Sequence, residues 1–241
     1  MGLGTFYGMG VGPGDPELLT IKAASVLARC PHVVVPKAKA DGGSVALEIA
    51  SRYVHANAVI HELVFPMTTD KTELSRSWRE SAGTLAVLLE TGADVCFLTL
   101  GDALVYSTYI YLLRELKAIL PALQVVTVPG ITSFSAVAAL TGFPLGEGKE
   151  PITVVPTADD LSAVRQAIQT GGTVVLMKIG KRLGDILDIL EETGVIEEAV
   201  FVQRAGHATQ VIELDLRKLR GENSEAGYLS VILIHATKKT P

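Results

Sequence analysis

Cysteine is almost missing from this chain: Cys30 and Cys96 are the only two among 241 residues. Two thiols cannot form a disulfide framework, and each sits in an apolar stretch where a small buried thiol is expected, which suits a reducing cytoplasm. Aromatic residues make up only 5%, with a single tryptophan. Basic residues are in deficit, since 21 Lys and Arg against 26 Asp and Glu leave a formal charge of −5. No Lys/Arg-rich tail supplies a sequence-independent footprint for phosphates, so nucleic acid is not an expected partner. Long apolar runs are absent too. Runs such as 95–100 and 231–234 are strand-sized and well short of the roughly 20 residues that cross a bilayer. A glycine-rich strand stands where a signal peptide would begin, so neither export nor a membrane span is expected.

What is there is apolar and patterned. Hydrophobic residues reach 48% and charged residues 20%, enough for two ordinary domains with substantial cores, and this excludes disordered and collagen-like chains. Short β-branched runs alternate with helical stretches, the pattern of βα units feeding a largely parallel sheet. Strands are expected over 5–9, 32–35, 59–63, 94–99 and 124–128. Leu19, Ala23, Val26, Leu27 and Cys30 recur at helical spacing, Ser44 is an N-cap for a helix to about Tyr53, and a longer helix covers 72–90. Pro121, within 118–123, follows a helix near the chain midpoint and suggests a hinge, giving domains 1–120 and 121–241. The second series reads as strand 152–155, helix 160–169, strand 173–177, helix 183–192, and strands 200–204, 209–213 and 229–235. Its last strands follow one another with few helices, so that sheet is expected to be mixed.

The first strand runs into Gly8-Met9-Gly10-Val11-Gly12-Pro13-Gly14-Asp15-Pro16-Glu17, with Asp15 and Pro16 placed to cap and start a helix. A dinucleotide fingerprint, G-x-G-x-x-G, fails here: counted from Gly8 its sixth place is Pro13, and counted from Gly10 it is Asp15. The second strand ends on Pro36-Lys37 rather than on an acid for the ribose. No P-loop occurs. Such a loop can be an ordinary tight turn, but three other strand ends carry unusual residues: 100–108 with Gly101-Asp102, 128–133 with Pro129-Gly130, and Met177-Lys178. Ligands of open α/β sheets gather at the carboxyl ends of strands. Taken singly, Met177 would be ordinary core filling and Thr132-Ser133 a helix cap.

The run Gly10-Val11-Gly12-Pro13-Gly14-Asp15-Pro16-Glu17-Leu18-Leu19-Thr20-Ile21-Lys22-Ala23, the Gly101-Asp102 loop with Tyr106, and Pro129-Gly130-Ile131-Thr132-Ser133 resemble the tetrapyrrole methylases, the class III S-adenosylmethionine-dependent methyltransferases. The three motifs come in the family's order and span nearly the whole chain. The resemblance implies two α/β domains with the active site in the cleft between them, 1–120 on the tetrapyrrole side and 121–241 on the cofactor side. It further implies S-adenosylmethionine as methyl donor, S-adenosylhomocysteine as product, and a homodimer. Carried over by position, the cofactor contacts are Pro13, Leu100, Gly101, Asp102, Val105, Thr132, Ser133, Met177, Ala205 and Ser230.

Val35-Pro36-Lys37, Gly43-Ser44-Val45-Ala46, Phe65-Pro66-Met67-Thr68-Thr69-Asp70 and Trp78 look most like the branch that methylates carbon 20 of a corrin precursor in cobalamin biosynthesis, on a metal-free or a cobalt-containing substrate. The uroporphyrinogen methylases carry an Asp-Arg pair where this chain has Pro36-Lys37. Ala103 replaces the family's usual proline, a change that bears on loop stiffness. Sister methylases acting at another ring carbon, the diphthamide branch and a non-catalytic S-adenosylmethionine-binding module are the alternatives. A carboxylate-rich tetrapyrrole calls for cations, and Lys37, Lys178, Arg204 and His207 are the strand-end candidates. Asp102 and Tyr106 are the candidates for acid or base. Five histidines and two cysteines fall into no zinc spacing, so no protein-bound metal is expected.

Overall fold

The computed structural model describes residues 2–37, 43–65, 68, 70–157, 161–221 and 226–236. It divides into two compact units, Met1–Thr132 and Ser133–Pro241. In the first, β1 (Phe6–Gly10), β2 (His32–Lys37), β3 (Val59–Val64), β4 (Val95–Thr99) and β5 (Val125–Val128) form a sheet in the order β3-β2-β4-β1-β5. Every pairing in it is parallel. The helices α1 (Ile21–Leu27), α2 (Val45–Ala50), α3 (Lys71–Glu90) and α4 (Tyr109–Ile119) connect the strands.

A parallel sheet covered on both faces needs strands that are apolar throughout, and alternation then sorts each residue to one layer. Tyr7, Met9, Val33, Val35, Cys96 and Leu98 pack with Ala23, Val26 and Leu27 of α1 and Ile49 of α2. Their neighbours Phe6, Val34, Val95 and Phe97 pack with Leu85 and Leu89 of α3 and Tyr109, Leu112 and Leu116 of α4. Both cysteines are free and buried in the α1 layer. The 20-residue helix α3 starts where Asp70 accepts from the amides of Thr72 (2.8 Å) and Glu73 (3.3 Å), satisfying two N–H groups that lack helical partners.

The opening helix departs from expectation. Asp15 does cap, accepting from Glu17 N at 2.8 Å, but Pro16–Leu18 make a single 3-10 turn. Leu19 then turns extended (ψ 132°) and buries its side chain, and Thr20 caps the α-helix that starts at Ile21. Burial of Leu19 in the α1 layer outweighs continuation of the helix. The boundary between units also falls later than the proline suggests, because β5 is hydrogen-bonded to β1 and belongs to the first sheet.

The second unit holds α5 (Ser133–Thr141), β6 (Ile152–Pro156), α6 (Ser162–Thr170), β7 (Gly172–Met177), α7 (Leu183–Glu192), β8 (Ala199–Gln203), β9 (Val211–Glu213) and β10 (Ser230–Ala236). Its sheet runs β6-β7-β10-β8-β9. The β6–β7 pair is parallel and the other three pairs are antiparallel, so the sheet is mixed. Val174, Leu176, Phe201, Ile232 and Ile234 turn toward α6 and α7. Asp160, expected to open α6, and Pro66, Met67 and Thr69 of the 65–70 segment lie outside the described residues. Among the described residues no helix is long and apolar enough to cross a membrane.

The two sides of α3 set up a stability test. Leu89 is fully buried whereas Val87, two residues earlier, is 64% exposed. Leu89→Ala is expected to cost about 2–5 kcal/mol in urea unfolding, and Val87→Ala within about 0.5 kcal/mol. Equal losses would mean that the helix face is assigned wrongly.

Candidate functional site

The strand order places β1 inside the first sheet, between the central strand β4 and the edge strand β5. The chain leaves β1 toward β2 and later crosses back from β4 to β5, which creates a topological switch point at the carboxyl end of β1. Three loops meet there. Gly12 and Gly101 exchange main-chain hydrogen bonds, Gly12 N to Gly101 O at 3.2 Å and Gly101 N to Gly12 O at 2.8 Å. Val11 N donates to Thr99 O at 3.0 Å. From the third loop, Gly130 N donates to Asp102 Oδ2 at 3.0 Å, while Leu104 N donates to Asp102 Oδ1 at 2.8 Å.

The glycines permit this approach. A Cβ on Gly10 would stand 2.6 Å from Gly130 N and 2.7 Å from Gly101 O, and a Cβ on Gly130 would stand 2.7 Å from the Gly10 carbonyl carbon. Contacts that short with backbone atoms leave no room for any side chain. The glycines thus bring the loops against one another, and the result is a rim of main-chain groups.

Beneath the rim lies polar structure that sequence reading missed. Thr99 Oγ1 and Ser107 Oγ are 2.8 Å apart, Tyr109 N donates to Ser107 Oγ at 3.1 Å, and Tyr109 OH meets Thr127 Oγ1 at 2.7 Å. Burial pushes the Tyr109 phenol above its ordinary pKa, against the opposing pull of the Thr127 bond. Its ring occupies the space a side chain on Gly8 would need. The only advance sign was a glycine in mid-strand, which marks a close approach.

Of the expected site residues, Pro13, Leu100, Gly101, Asp102, Val105 and Tyr106 lie in these loops or directly beside them, and Thr132 closes the first unit two residues past Gly130. Tyr106 has a positive φ of 51°, a strained state for a bulky residue and one that concentrates at functional sites. Lys37 is elsewhere: it ends β2, and its Nζ donates to Glu62 Oε2 of β3 at 2.8 Å. That pairing uses its charge within the sheet edge.

The second unit gathers the others. Because β10 runs antiparallel to both β7 and β8, its first residue meets their carboxyl ends. Met177 ends β7 and Lys178 follows it, Arg204 and Ala205 follow β8, and Ser230 starts β10. Three non-glycine residues with positive φ stand together here, Lys178 (58°), Arg204 (51°) and Leu229 (52°). Arg204 N donates to Leu229 O at 2.9 Å, and Ser230 Oγ donates to Gly227 O at 2.8 Å. Thr209 Oγ1 links Arg204 Nη1 (3.2 Å) and His207 Nδ1 (3.1 Å). Desolvation lowers the Lys178 pKa below the usual lysine value, although the residue as a whole is exposed. Ser133, the remaining member of the set, is the first residue of α5. Among the described residues, no cluster of three or more His, Cys, Asp and Glu could hold a metal ion.

Both sheet ends thus present main-chain rims in strained or glycine-only conformations. The profile of the tetrapyrrole (corrin/porphyrin) methylases matches residues 5–219, and the chain belongs to that family. Among particular relatives, it is 34% identical over 203 residues to the cobalt-precorrin-2 C(20)-methyltransferase of Salmonella typhimurium, covering 84% of each chain. It is 30% identical to the precorrin-2 C(20)-methyltransferase of a Sinorhizobium species, covering 100% of this chain and 99% of the relative. The fold is shared with a crystal structure of a cobalt precorrin-4 methyltransferase (TM-score 0.75, 19% identity, 96% of this chain and 94% of that one). It is shared too with the Thermus thermophilus uroporphyrin-III C-methyltransferase complexed with S-adenosylhomocysteine (TM-score 0.64, 22% identity, 96% and 97%).

Gly10→Ala tests the loop contact. It is expected to lower stability by about 3 kcal/mol through overpacking, while Gly43→Ala, with open space around it, leaves the unfolding midpoint nearly unchanged. Equal midpoints in urea for both variants would show that the three loops yield freely.

Proposed function

We propose that this protein is an S-adenosylmethionine-dependent methyltransferase that methylates carbon 20 of precorrin-2 or its cobalt complex in cobalamin biosynthesis. The observation that carries the reading is the convergence of three motif-bearing loops at the switch point of the first sheet, in a chain that aligns along its length with C(20)-methyltransferases. We also propose that it works as a cytoplasmic homodimer.

Each rim, taken by itself, presents main-chain groups of the kind such a cofactor needs. Adenine, ribose and an amino-acid end need donors and acceptors at close range, and the residues that would hold them are Pro13, Leu100, Gly101, Asp102, Val105 and Thr132 in the first unit. In the second they are Ser133, Met177, Ala205 and Ser230. A glycine-lined main chain allows backbone N–H and C=O groups to approach a ligand closely. When bound, S-adenosylmethionine supplies a methyl group on a positively charged sulfur, already activated for displacement by a carbon nucleophile. The protein's contribution is then alignment and exclusion of water, which calls for rigid walls more than for a protein nucleophile.

The carboxylates of the tetrapyrrole need cationic or N–H partners. Lys178, Arg204 and His207 stand at one end of the second sheet and would take that part. An ammonium in a partly desolvated place has lost some of its water partners, and an arriving carboxylate would favour its charged form. Lys178→Met should therefore raise KM for the tetrapyrrole about tenfold with cofactor affinity unchanged.

The deciding experiment is anaerobic incubation with methyl-labelled S-adenosylmethionine and either precorrin-2 or its cobalt complex, read by mass spectrometry. One added methyl group at carbon 20 is the expected result, and the substrate that takes it fixes whether metal insertion comes first. Cofactor uptake without methylation of either substrate would overturn the carbon-20 reading and favour a sister methylase or a non-catalytic binder.

A further inference from the structure

We infer that Asp102 is a positioning residue: its carboxylate ties the loop after β4 to the loop after β5, and through Gly130 to the loop after β1, so that the cofactor rim is in place before any ligand arrives. The inference rests on the function proposed above and goes beyond it by assigning the Asp102 carboxylate neither to proton transfer nor to contact with cofactor, the Asp102 main chain remaining among the groups of the rim that would hold it.

The geometry is specific. Oδ1 accepts from Leu104 N at 2.8 Å, two residues along the same loop, a local turn that many aspartates make. Oδ2 reaches 28 residues along the chain to Gly130 N at 3.0 Å. Gly130 is also the residue packed against Gly10: a Cβ on Gly10 would meet that same nitrogen at 2.6 Å. One carboxylate therefore holds the amide that forms the back wall of the β1 loop. The Gly12–Gly101 main-chain pair closes the opposite side, with its two bonds at 3.2 and 2.8 Å. Ala103, the next residue, is fully buried and so fixes the stem from which the carboxylate projects.

Use of this carboxylate as a base would work against that role. Each oxygen already accepts a main-chain N–H, and bonds from amides to an ionised carboxylate are roughly twice as strong as those between neutral groups. Taking up a proton would weaken both ties in every catalytic cycle. A ligand drawn to the same carboxylate would have to share oxygens already held by main-chain N–H groups.

Asp102→Ala and the milder Asp102→Asn separate these roles. Asn keeps one oxygen and turns an NH2 toward the other amide, so it can retain one tie only. In the protein without cofactor, amide hydrogen exchange at Leu104 and Gly130 should rise at least about tenfold in Asp102→Ala, and at one of the two sites in Asp102→Asn. S-adenosylmethionine affinity should fall on the order of 10–100-fold in Asp102→Ala and less in Asp102→Asn, the size expected for loss of charge-assisted hydrogen bonds. Single-turnover methyl transfer at saturating cofactor should stay within about threefold of wild type, with an unchanged pH profile. Weaker cofactor binding with wild-type exchange in the free protein would overturn the inference in favour of direct contact. A lost chemical step at unchanged affinity would overturn it in favour of acid–base work. If the wild-type protein takes up no S-adenosylmethionine, the proposed function fails, and the exchange comparison alone decides whether Asp102 ties the loops.

Discussion

The first unit depends on main chain lying against main chain at the carboxyl end of β1. Gly10, Gly101 and Gly130 approach so closely that no Cβ fits on Gly10 or Gly130, and this contact exists only because the sheet places β4 and β5 on either side of β1. Strand order, glycine placement and the Asp102 ties thus describe one constraint. Relaxing any of them would separate loops whose main-chain groups must act together. The buried Thr99–Ser107 and Tyr109–Thr127 pairs support the same region from beneath, where hydrogen-bonded polar groups fix geometry that apolar packing alone would leave looser.

Rigidity of the second unit's rim has a different origin. Gly227 lies against the main chain of Gly180 with no room for a Cβ, and Lys178, Arg204 and Leu229 adopt left-handed backbone conformations at the ends of three neighbouring strands. Each such residue costs of order 1–3 kcal/mol, and it persists where surrounding bonds over-determine it. The bond from Arg204 N to Leu229 O and that from Gly180 N to Gly227 O, at 2.9 and 3.0 Å, do so here.

Much of this was legible in the sequence, for physical reasons. Strands buried on both faces read as continuous apolar runs, so all five of the first sheet fell within a residue or two of their observed bounds, and α3 and α7 were equally plain from helical periodicity. The mixed character of the second sheet followed from the shortage of helices between its last strands. Other features depend on partners distant in sequence and left no local trace. Pro121 marks the end of α4 truly enough, yet β5 beyond it pairs back with β1, which no local signal reveals. Asp15-Pro16 reads as a helix start, and only the demand of the core for Leu19 interrupts it. Lys37 reads as a strand-end cation, and its partner Glu62, 25 residues on, left no local sign. The tie from Asp102 to Gly130 joins two loops that were each singled out, though nothing in either indicated the bond.

The strand order has a consequence for how the chain comes into being. β1 is synthesised first, yet both of its partners come late, β4 at Val95 and β5 at Val125. The first strands able to pair during synthesis are β2 and β3. For some ninety residues of growth β1, an interior strand of the finished sheet, must stay unpaired, and an exposed apolar strand is a hazard for aggregation. Its composition is Phe-Tyr-Gly-Met-Gly, and glycine has a low intrinsic preference for strands. The same glycines that admit Tyr109 and Gly130 in the finished protein thus leave the nascent segment a poor template for premature pairing with another chain.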